Sequence, residues 1–283
     1  MTYRTLLLTS LAMLAFAGNS LLCRLALRDT AIDPASFTAI RLSSGALVLW
    51  LLLQLGSKRL VLQGSWPAAL ALFVYAAAFS LAYLHLDAGV GALILFGSVQ
   101  LSMSAWGLLK GERLNLVQSF GLSLAALGLV LWLLPGSQAP ALSGTLLMIL
   151  AGLAWAGYSL LGRGAGDPLA NTAGNFLRAV PLALMMLLGF AGNWQLDGPG
   201  VVYAVLSGAL TSGVGYAIWY AALKHLSAIQ GASVQLSVPV IAALLGSLLL
   251  AESISLRLSL VTVMTIGGIG LVLRGKRNGT AAK

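Results

Sequence analysis

Two long stretches limit what this chain can fold into. No Asp, Glu, Lys or Arg occurs between Arg113 and Arg163, or between Lys224 and Glu252. In lipid, a backbone N–H or C=O finds no water and must be paired within the protein, which leaves helices or closed barrels. The apolar runs are continuous rather than alternating, which excludes a β-barrel. They read as helical spans of about 20 residues each. Composition agrees: the 283 residues are 59% hydrophobic and 8% charged, with mean hydropathy +0.95, against about 25% charged in soluble domains. The chain reads as an all-α polytopic membrane protein.

The sequence also repeats itself. Ala15-Phe-Ala-Gly-Asn-Ser-Leu-Leu-Cys-Arg24 returns as Ala154-Trp-Ala-Gly-Tyr-Ser-Leu-Leu-Gly-Arg163, with seven of ten positions identical. His85-Leu-Asp-Ala-Gly-Val-Gly-Ala92 returns as His225-Leu-Ser-Ala-Ile-Gln-Gly-Ala232, and Gly111-Glu112 as Ala251-Glu252. Gly128-Leu-Val-Leu131 has an echo in Gly268-Ile-Gly-Leu271. Asp33-Pro34 ahead of Arg41 returns as Asp167-Pro168 ahead of Arg178, with three extra residues between. A fixed period of this kind means one structural unit used twice. The expected organisation is a first unit over 1–134, a linker over 135–141, a second unit over 142–275 and a tail over 276–283.

Ten spans are expected, near 5–27, 34–55, 66–86, 88–109, 115–134, 142–162, 169–190, 199–222, 228–250 and 256–274. Asp33-Pro34, Ser65-Trp66-Pro67, Asp167-Pro168 and Asp197-Gly198-Pro199 each set a polar cap before a proline in the first helical turn. With the N-terminus inside, Arg4, Lys58, Arg59, Lys110, Arg113, Arg163, Lys224, Arg274, Lys276, Arg277 and Lys283 lie inside. Only Arg24, Arg28 and Arg257 lie outside, which the positive-inside rule favours. Both termini then face the cytoplasm. Five spans per unit is an odd number, so the second unit enters the membrane inverted. Inverted repeats are a transporter architecture suited to alternating access. Leu6–Leu14 followed by Ala15-Phe-Ala17 imitates a secretory signal, but the same Ala-x-Ala recurs mid-chain at Ala154–Ala156, so the first span is expected to stay.

The formal charge of +9 is accounted for by cytoplasmic loops and does not call for nucleic acid. Cys23 is the single cysteine, so no disulfide, metal centre or cofactor is expected. Phosphate-binding glycine loops, metal-ligand clusters and nucleophile elbows are absent from the sequence, which argues against an enzyme.

Ile218-Trp-Tyr-Ala-Ala-Leu-Lys-His-Leu-Ser227, Val238-Pro-Val-Ile-Ala-Ala-Leu-Leu-Gly246, Leu250-Ala-Glu252 and, in the first half, Leu108-Leu-Lys-Gly-Glu112 resemble the drug/metabolite transporter superfamily, EamA type. The resemblance covers essentially the whole chain. It implies a basket of ten helices in which spans 1, 3, 4, 6, 8 and 9 line a central cavity and spans 5 and 10 are peripheral. It also implies relatives that export amino acids and other small metabolites across the bacterial inner membrane. Drugs, nucleosides and other metabolites remain alternative solutes, and a membrane enzyme or lipid-handling protein an alternative class. The chain departs from strict repetition at Pro239, where the first half has Val99-Gln100, so any proline kink belongs to one half.

Stripes of aromatic and amide side chains at helical spacing mark the candidate cavity faces. Span 1 offers Phe16, Asn19, Ser20 and Cys23, and span 6 offers Trp155, Tyr158, Ser159 and Gly162. Span 3 offers Tyr75, Phe79 and Tyr83, and span 4 offers Phe96, Gln100 and Ser104. Thr211, Ser212, Gly215, Tyr216, Trp219 and Tyr220 share a face of span 8, and Gln235, Pro239 and Ala242 one of span 9. The substrate-binding set expected from these is Asn19, Tyr83, Phe96, Gln100, Trp155, Tyr158, Tyr216, Trp219, Gln235 and Pro239. Each also has a plain reading as an interhelical hydrogen bond or a packing ring. Many rings and few charges suit small, partly apolar solutes, and Trp155 or Trp219 could face a substrate ammonium.

Arg41 and Arg178 are the charges deepest in their spans, Arg41 about 10 Å along its helix from Pro34. Either could attract a carboxylate, but spans 2 and 7 are not cavity helices in the resemblance, so packing or interfacial roles are expected. Glu112 and Glu252, near Arg113 and Arg257, and likewise His85 and His225, sit at span ends, and for the glutamates helix-end contacts are expected ahead of proton coupling. Gly107-x3-Gly111 and Gly121-x3-Ala125 allow close helix approach and leave a homodimer open beside membrane lipid as partners.

Overall fold

The computed structural model describes residues 3–55, 63–111, 113–133, 140–163 and 166–274. Glu112, Lys58, Arg59, Lys276, Arg277 and Lys283, most of the expected linker and the expected tail lie outside the described residues. Among the described residues there is helix and no strand. The helices are α1 (Tyr3–Asp29), α2 (Pro34–Leu55), α3 (Trp66–Ala82), α4 (Ala88–Leu109), α5 (Leu116–Leu133), α6 (Leu142–Gly162) and α7 (Pro168–Gly189). Then come α8 (Gly198–Leu206), a π-helical stretch (Ser207–Val214), α9 (Gly215–Leu223), α10 (Ala228–Gln235), α11 (Val238–Leu250) and α12 (Leu256–Arg274). Among the described residues, seven helical segments are long and apolar enough to cross a membrane, α8 to α9 counting as one of 26 residues. Trp66–Ala82, Leu116–Gly128 and Ser259–Val272 are shorter apolar helices.

Polar caps start the helices where the sequence places them. Asp33 Oδ1 accepts from the N–H groups of Ala35 and Ser36, both at 2.9 Å. Asp167 Oδ1 accepts from Leu169 at 2.9 Å and Ala170 at 3.2 Å, and Ser65 Oγ accepts from Ala68 at 3.3 Å. These bonds satisfy donors that the first helical turn leaves unpaired. Asp197 differs: its side chain makes no cap bond, and Oδ1 has no partner among the described residues.

Two irregularities shape the centre. Between α10 and α11 the helix breaks at Leu236–Ser237. Pro239 has no N–H to give the carbonyl of Gln235, which forces the interruption. Its first-half counterpart, α4, runs unbroken through Val99. The π-helical stretch is the other irregularity. It is rich in small residues (Ser207, Gly208, Ser212, Gly213), and Gly208 lies so close to α2 that a Cβ there would sit 2.7 Å from the Arg41 carbonyl carbon. Such insertions recur at functional sites.

The helices pair in a regular scheme. α3 packs on α6, and α1 packs on α8, the π stretch and α9. α2 packs on α7, α4 on α10 and α11, and α5 on α12. The core of buried side chains runs along α1, α3, α4, α6 and α9, with α2 contributing Phe37, Arg41, Leu42 and Leu49.

Candidate functional site

Where these helices meet, aromatic rings from both halves form one cluster. Phe16 stacks on Phe96 at 6.2 Å and meets Trp155, Tyr216 and Trp219 edge-on at 5.3, 5.7 and 5.7 Å. Trp155 lies 4.6 Å from Tyr216, 5.0 Å from Tyr75 and 5.5 Å from Tyr158, centroid to centroid. Edge-on and tilted arrangements of this kind follow the ring quadrupoles.

A polar group sits against the rings. Asn19 Oδ1 accepts from Ser207 at 2.7 Å, Thr211 at 3.3 Å and Ser212 at 3.4 Å. Its Nδ2 donates to the Tyr75 hydroxyl at 3.2 Å. The π stretch supplies all three hydroxyls, so the backbone irregularity and the polar centre are one feature.

Arg41 completes the group. It is 1% exposed. Its Nε donates to Ser212 Oγ at 3.1 Å, and one terminal nitrogen donates to the hydroxyls of Tyr75 at 3.1 Å and Tyr216 at 2.9 Å. The guanidinium carbon lies 5.2 Å from the Tyr75 ring centre and 5.1 Å from that of Phe79. Among the described residues its other terminal nitrogen has no partner, and no carboxylate lies within ion-pair distance. Burying a cation without an anion costs several kcal/mol. Neutral hydroxyls and cation–π contacts offset part of that.

The structure thus brings Asn19, Phe96, Trp155, Tyr158, Tyr216 and Trp219 together. Gln235 joins through its Oε1, which accepts from Trp155 Nε1 at 2.6 Å, and Tyr83 through Phe79, at 4.7 Å. Gln100 lies apart. It donates to Ser104 at 2.9 Å and, with Ala125 of α5 and Thr265 of α12, lines a cavity of ≈ 10 Å³. Pro239 is buried at the helix break. Arg41 was expected to be a packing or interfacial residue, and the structure puts it at the centre, because α2 crosses the π stretch closely enough to deliver it. Arg178 does match that expectation: from the middle of α7 it donates to the carbonyls of Gln63 at 2.9 Å and Gly174 at 2.8 Å. Tyr75, Ser207 and Ser212 are central yet outside the expected set; for Tyr75 and Ser212 the signal was their place in the span 3 and span 8 stripes.

The two ends of the bundle differ. At one end Arg24 pairs with Asp87 at 3.1 Å and Glu252 at 3.5 Å. Glu252 also accepts from the Ala88 N–H with both oxygens, at 3.0 and 3.1 Å, joining α11 to the start of α4. Ala251, at φ 53°, makes the left-handed turn that brings Glu252 there. Burial holds the Glu252 carboxyl above its ordinary pKa, and Asp87 adds to the rise; the Ala88 N–H, Arg24 and Arg28 oppose it. At the other end Trp106, Lys110, Leu160, Arg163 and Lys224 line a cavity of ≈ 490 Å³. Lys110 lies 4.9 Å over the Trp106 ring, Arg163 donates to Leu226 O at 3.2 Å, and Lys224 donates to Gly166 O. Among the described residues there is no cluster of His, Cys, Asp and Glu that could hold a metal ion.

Comparison with known proteins places this geometry. The model of the EamA-like transporter family matches residues 142–274. A protein of Pseudomonas aeruginosa, described as uncharacterized, is 62% identical over 99% of this chain and 98% of its own. Transporters described as uncharacterized from Archaeoglobus fulgidus and Bacillus subtilis are 28% and 24% identical, covering 96% and 81% of this chain and 98% and 81% of their own. A crystal structure matches with TM-score 0.71 at 20% identity, over 95% of this chain and 96% of the other, a likeness of fold.

Proposed function

The chain belongs to the EamA-like transporter family, and from that premise we propose that it exports neutral or aromatic amino acids by alternating access. Its membership makes it a multi-pass membrane transporter. The observation that carries the finer reading is the buried aromatic and polar cluster, which draws Asn19, Phe96, Trp155, Tyr216 and Arg41 from both halves of the chain. Stacked rings accept an apolar side chain, and a few convergent polar groups fix its orientation.

Ten spans in two inverted units are part of the proposal. The pairing scheme supports them: exchanging each helix with its repeat counterpart turns α3 on α6 into α8–α9 on α1, α2 on the π stretch into α7 on α3, and α4 on α6 into α11 on α1, and it returns α2 on α7, α4 on α10–α11 and α5 on α12 to themselves. A two-fold axis in the membrane plane gives that invariance. The excess of Lys and Arg on one side supports an inner-membrane location with cytoplasmic termini.

The test is uptake into proteoliposomes containing this protein alone, with labelled phenylalanine, tyrosine, tryptophan, leucine and alanine, with and without a pH gradient. Saturable uptake of at least one, abolished by Trp155→Ala, is expected. If none moves while other metabolites do, the amino-acid reading fails and the transporter stands.

A further inference from the structure

We propose that the central site is built for the carboxylate of its substrate, with Arg41 as the anchor, and that a substrate ammonium is not required. The inference rests on the transport reading above, in that it puts the solute at this cluster, and it names the group the cluster recognises.

Donors outnumber acceptors at this cluster. A guanidinium has five N–H donors and a hydroxyl has one. Arg41 uses three, on Ser212, Tyr75 and Tyr216, and both protons on its remaining terminal nitrogen have no acceptor among the described residues. The Tyr75 and Tyr216 hydroxyls lie 3.2 Å apart, so only one can donate to the other, and one phenolic proton is left over. Trp219 Nε1, a donor only, is also buried and unpartnered. The cluster therefore carries a surplus of donors around a positive charge.

Acceptors that bring no proton of their own are correspondingly scarce; the Tyr158 hydroxyl, unpartnered among the described residues, adds a donor along with its lone pairs. Asn19 Oδ1 has both lone pairs taken by Ser207 and Ser212, the Thr211 proton going to the nearer Ser207 carbonyl at 2.9 Å, and Gln235 Oε1 is taken by Trp155. Asp29, Asp33, Asp87, Asp167, Asp197 and Glu252 all stand at helix ends or in connections; Glu112, the seventh acidic residue, lies outside the described residues. An ammonium finds ring faces here but no counter-anion. A carboxylate brings two oxygens with about four lone-pair directions, fits the planar fork of arginine and supplies the missing charge. Rings fill the space beside the guanidinium in this packed arrangement, so the ligand enters as the helices part.

The experiment uses the full chain purified in detergent and follows its thermal midpoint with four probes of one shape: phenylalanine, 3-phenylpropionate, phenylalaninamide and phenethylamine. Phenylalanine and 3-phenylpropionate should stabilise the protein with affinities within about threefold of each other. The amide and the amine should bind on the order of tenfold or more weakly. Arg41→Gln should erase the preference, whereas Gly157→Ala, whose added Cβ would meet nothing within 4 Å, should keep it. The wild-type comparison needs no variant to fold. Binding of the amide or amine equal to the acids overturns the proposal, as does binding of phenylalanine without 3-phenylpropionate, or of none of the four. Binding of 3-phenylpropionate by a protein that moves no amino acid would sink the amino-acid reading and leave this one standing. Amino-acid uptake blocked equally by the amide would do the reverse.

Discussion

Gly208→Ala tests whether the contact between α2 and the π stretch holds the centre together. A Cβ at Gly208 would lie 2.7 Å from the Arg41 carbonyl carbon, with Ser44 Oγ also in the way. An ordinary contact needs about 3.4 Å or more, and the Arg41 carbonyl oxygen lies closer to that Cβ than its carbon does, so the two helices must separate by at least roughly 0.7 Å. The Arg41 Nε to Ser212 bond, now 3.1 Å, would stretch to at least about 3.8 Å, past the range of a hydrogen bond. Overpacking costs about 1–3 kcal/mol and a lost bond to a charged group about 1.5–3 kcal/mol. Better helix propensity of alanine returns about 1 kcal/mol. The net is a loss of about 3 kcal/mol, on the order of a hundredfold in the folded ratio. Thermal unfolding in detergent should show a midpoint lower by several degrees, with transport reduced even where protein remains folded. Gly157→Ala is the control, since nothing lies within 4 Å of its would-be Cβ. If Gly208→Ala matches Gly157→Ala in midpoint and flux, the close approach does not position the site and the reasoning fails.

Asp33→Ala removes the cap of α2 and its 2.9 Å acceptance from Gln195 N–H, and should cost about 1–2 kcal/mol in chemical unfolding. The Asp33 carboxyl sits below its ordinary pKa: burial pushes it up, but the bonds from Ser36, Gln195 and Ala35 together outweigh that. Its stabilisation is therefore present above the unfolded value near about 3.9 and is lost as pH falls through the lower folded one; an acid-unfolding midpoint that Asp33→Ala leaves unmoved would contradict this. For Glu252 the sign is opposite. Its raised folded pKa means a contribution present below the unfolded value near about 4.3 and lost as pH rises through the folded value, so Glu252→Gln should flatten the stability profile on the acid side, read by thermal scans from pH 4 to 8. Trp155→Phe keeps the ring but strips the 2.6 Å bond to Gln235, leaving a buried carbonyl unpaired at about 1–3 kcal/mol. Pairing it with Gln235→Leu should recover part of that loss, and strict additivity in the double-mutant cycle would show that the bond carries nothing.

How much was legible in advance follows from what each signal depends on. Charge-free runs, polar caps before prolines and a repeat of about 140 residues are local properties, and lipid leaves a chain with those properties few options but helices. The proline break fell in one half only, as the absent N–H dictates. The ring stripes also converged, because positions three or four apart share a helix face whatever the helix packs against. For Arg41 the sequence favours a packing or interfacial role, since its place depends on how closely α2 crosses another helix. That crossing is fixed by Gly208, some 170 residues away, and no local pattern encodes it. The π stretch was likewise invisible: Thr211 and Ser212 stand in the span 8 stripe, but Ser207 meets Asn19 with them only in the folded helix. Sequence by itself determined the membrane helices and their repetition, since those depend on hydration and backbone bonding alone. Tertiary packing alone decided which buried charge reaches the centre and which donors meet there unpaired, because that requires distances between segments far apart in the chain.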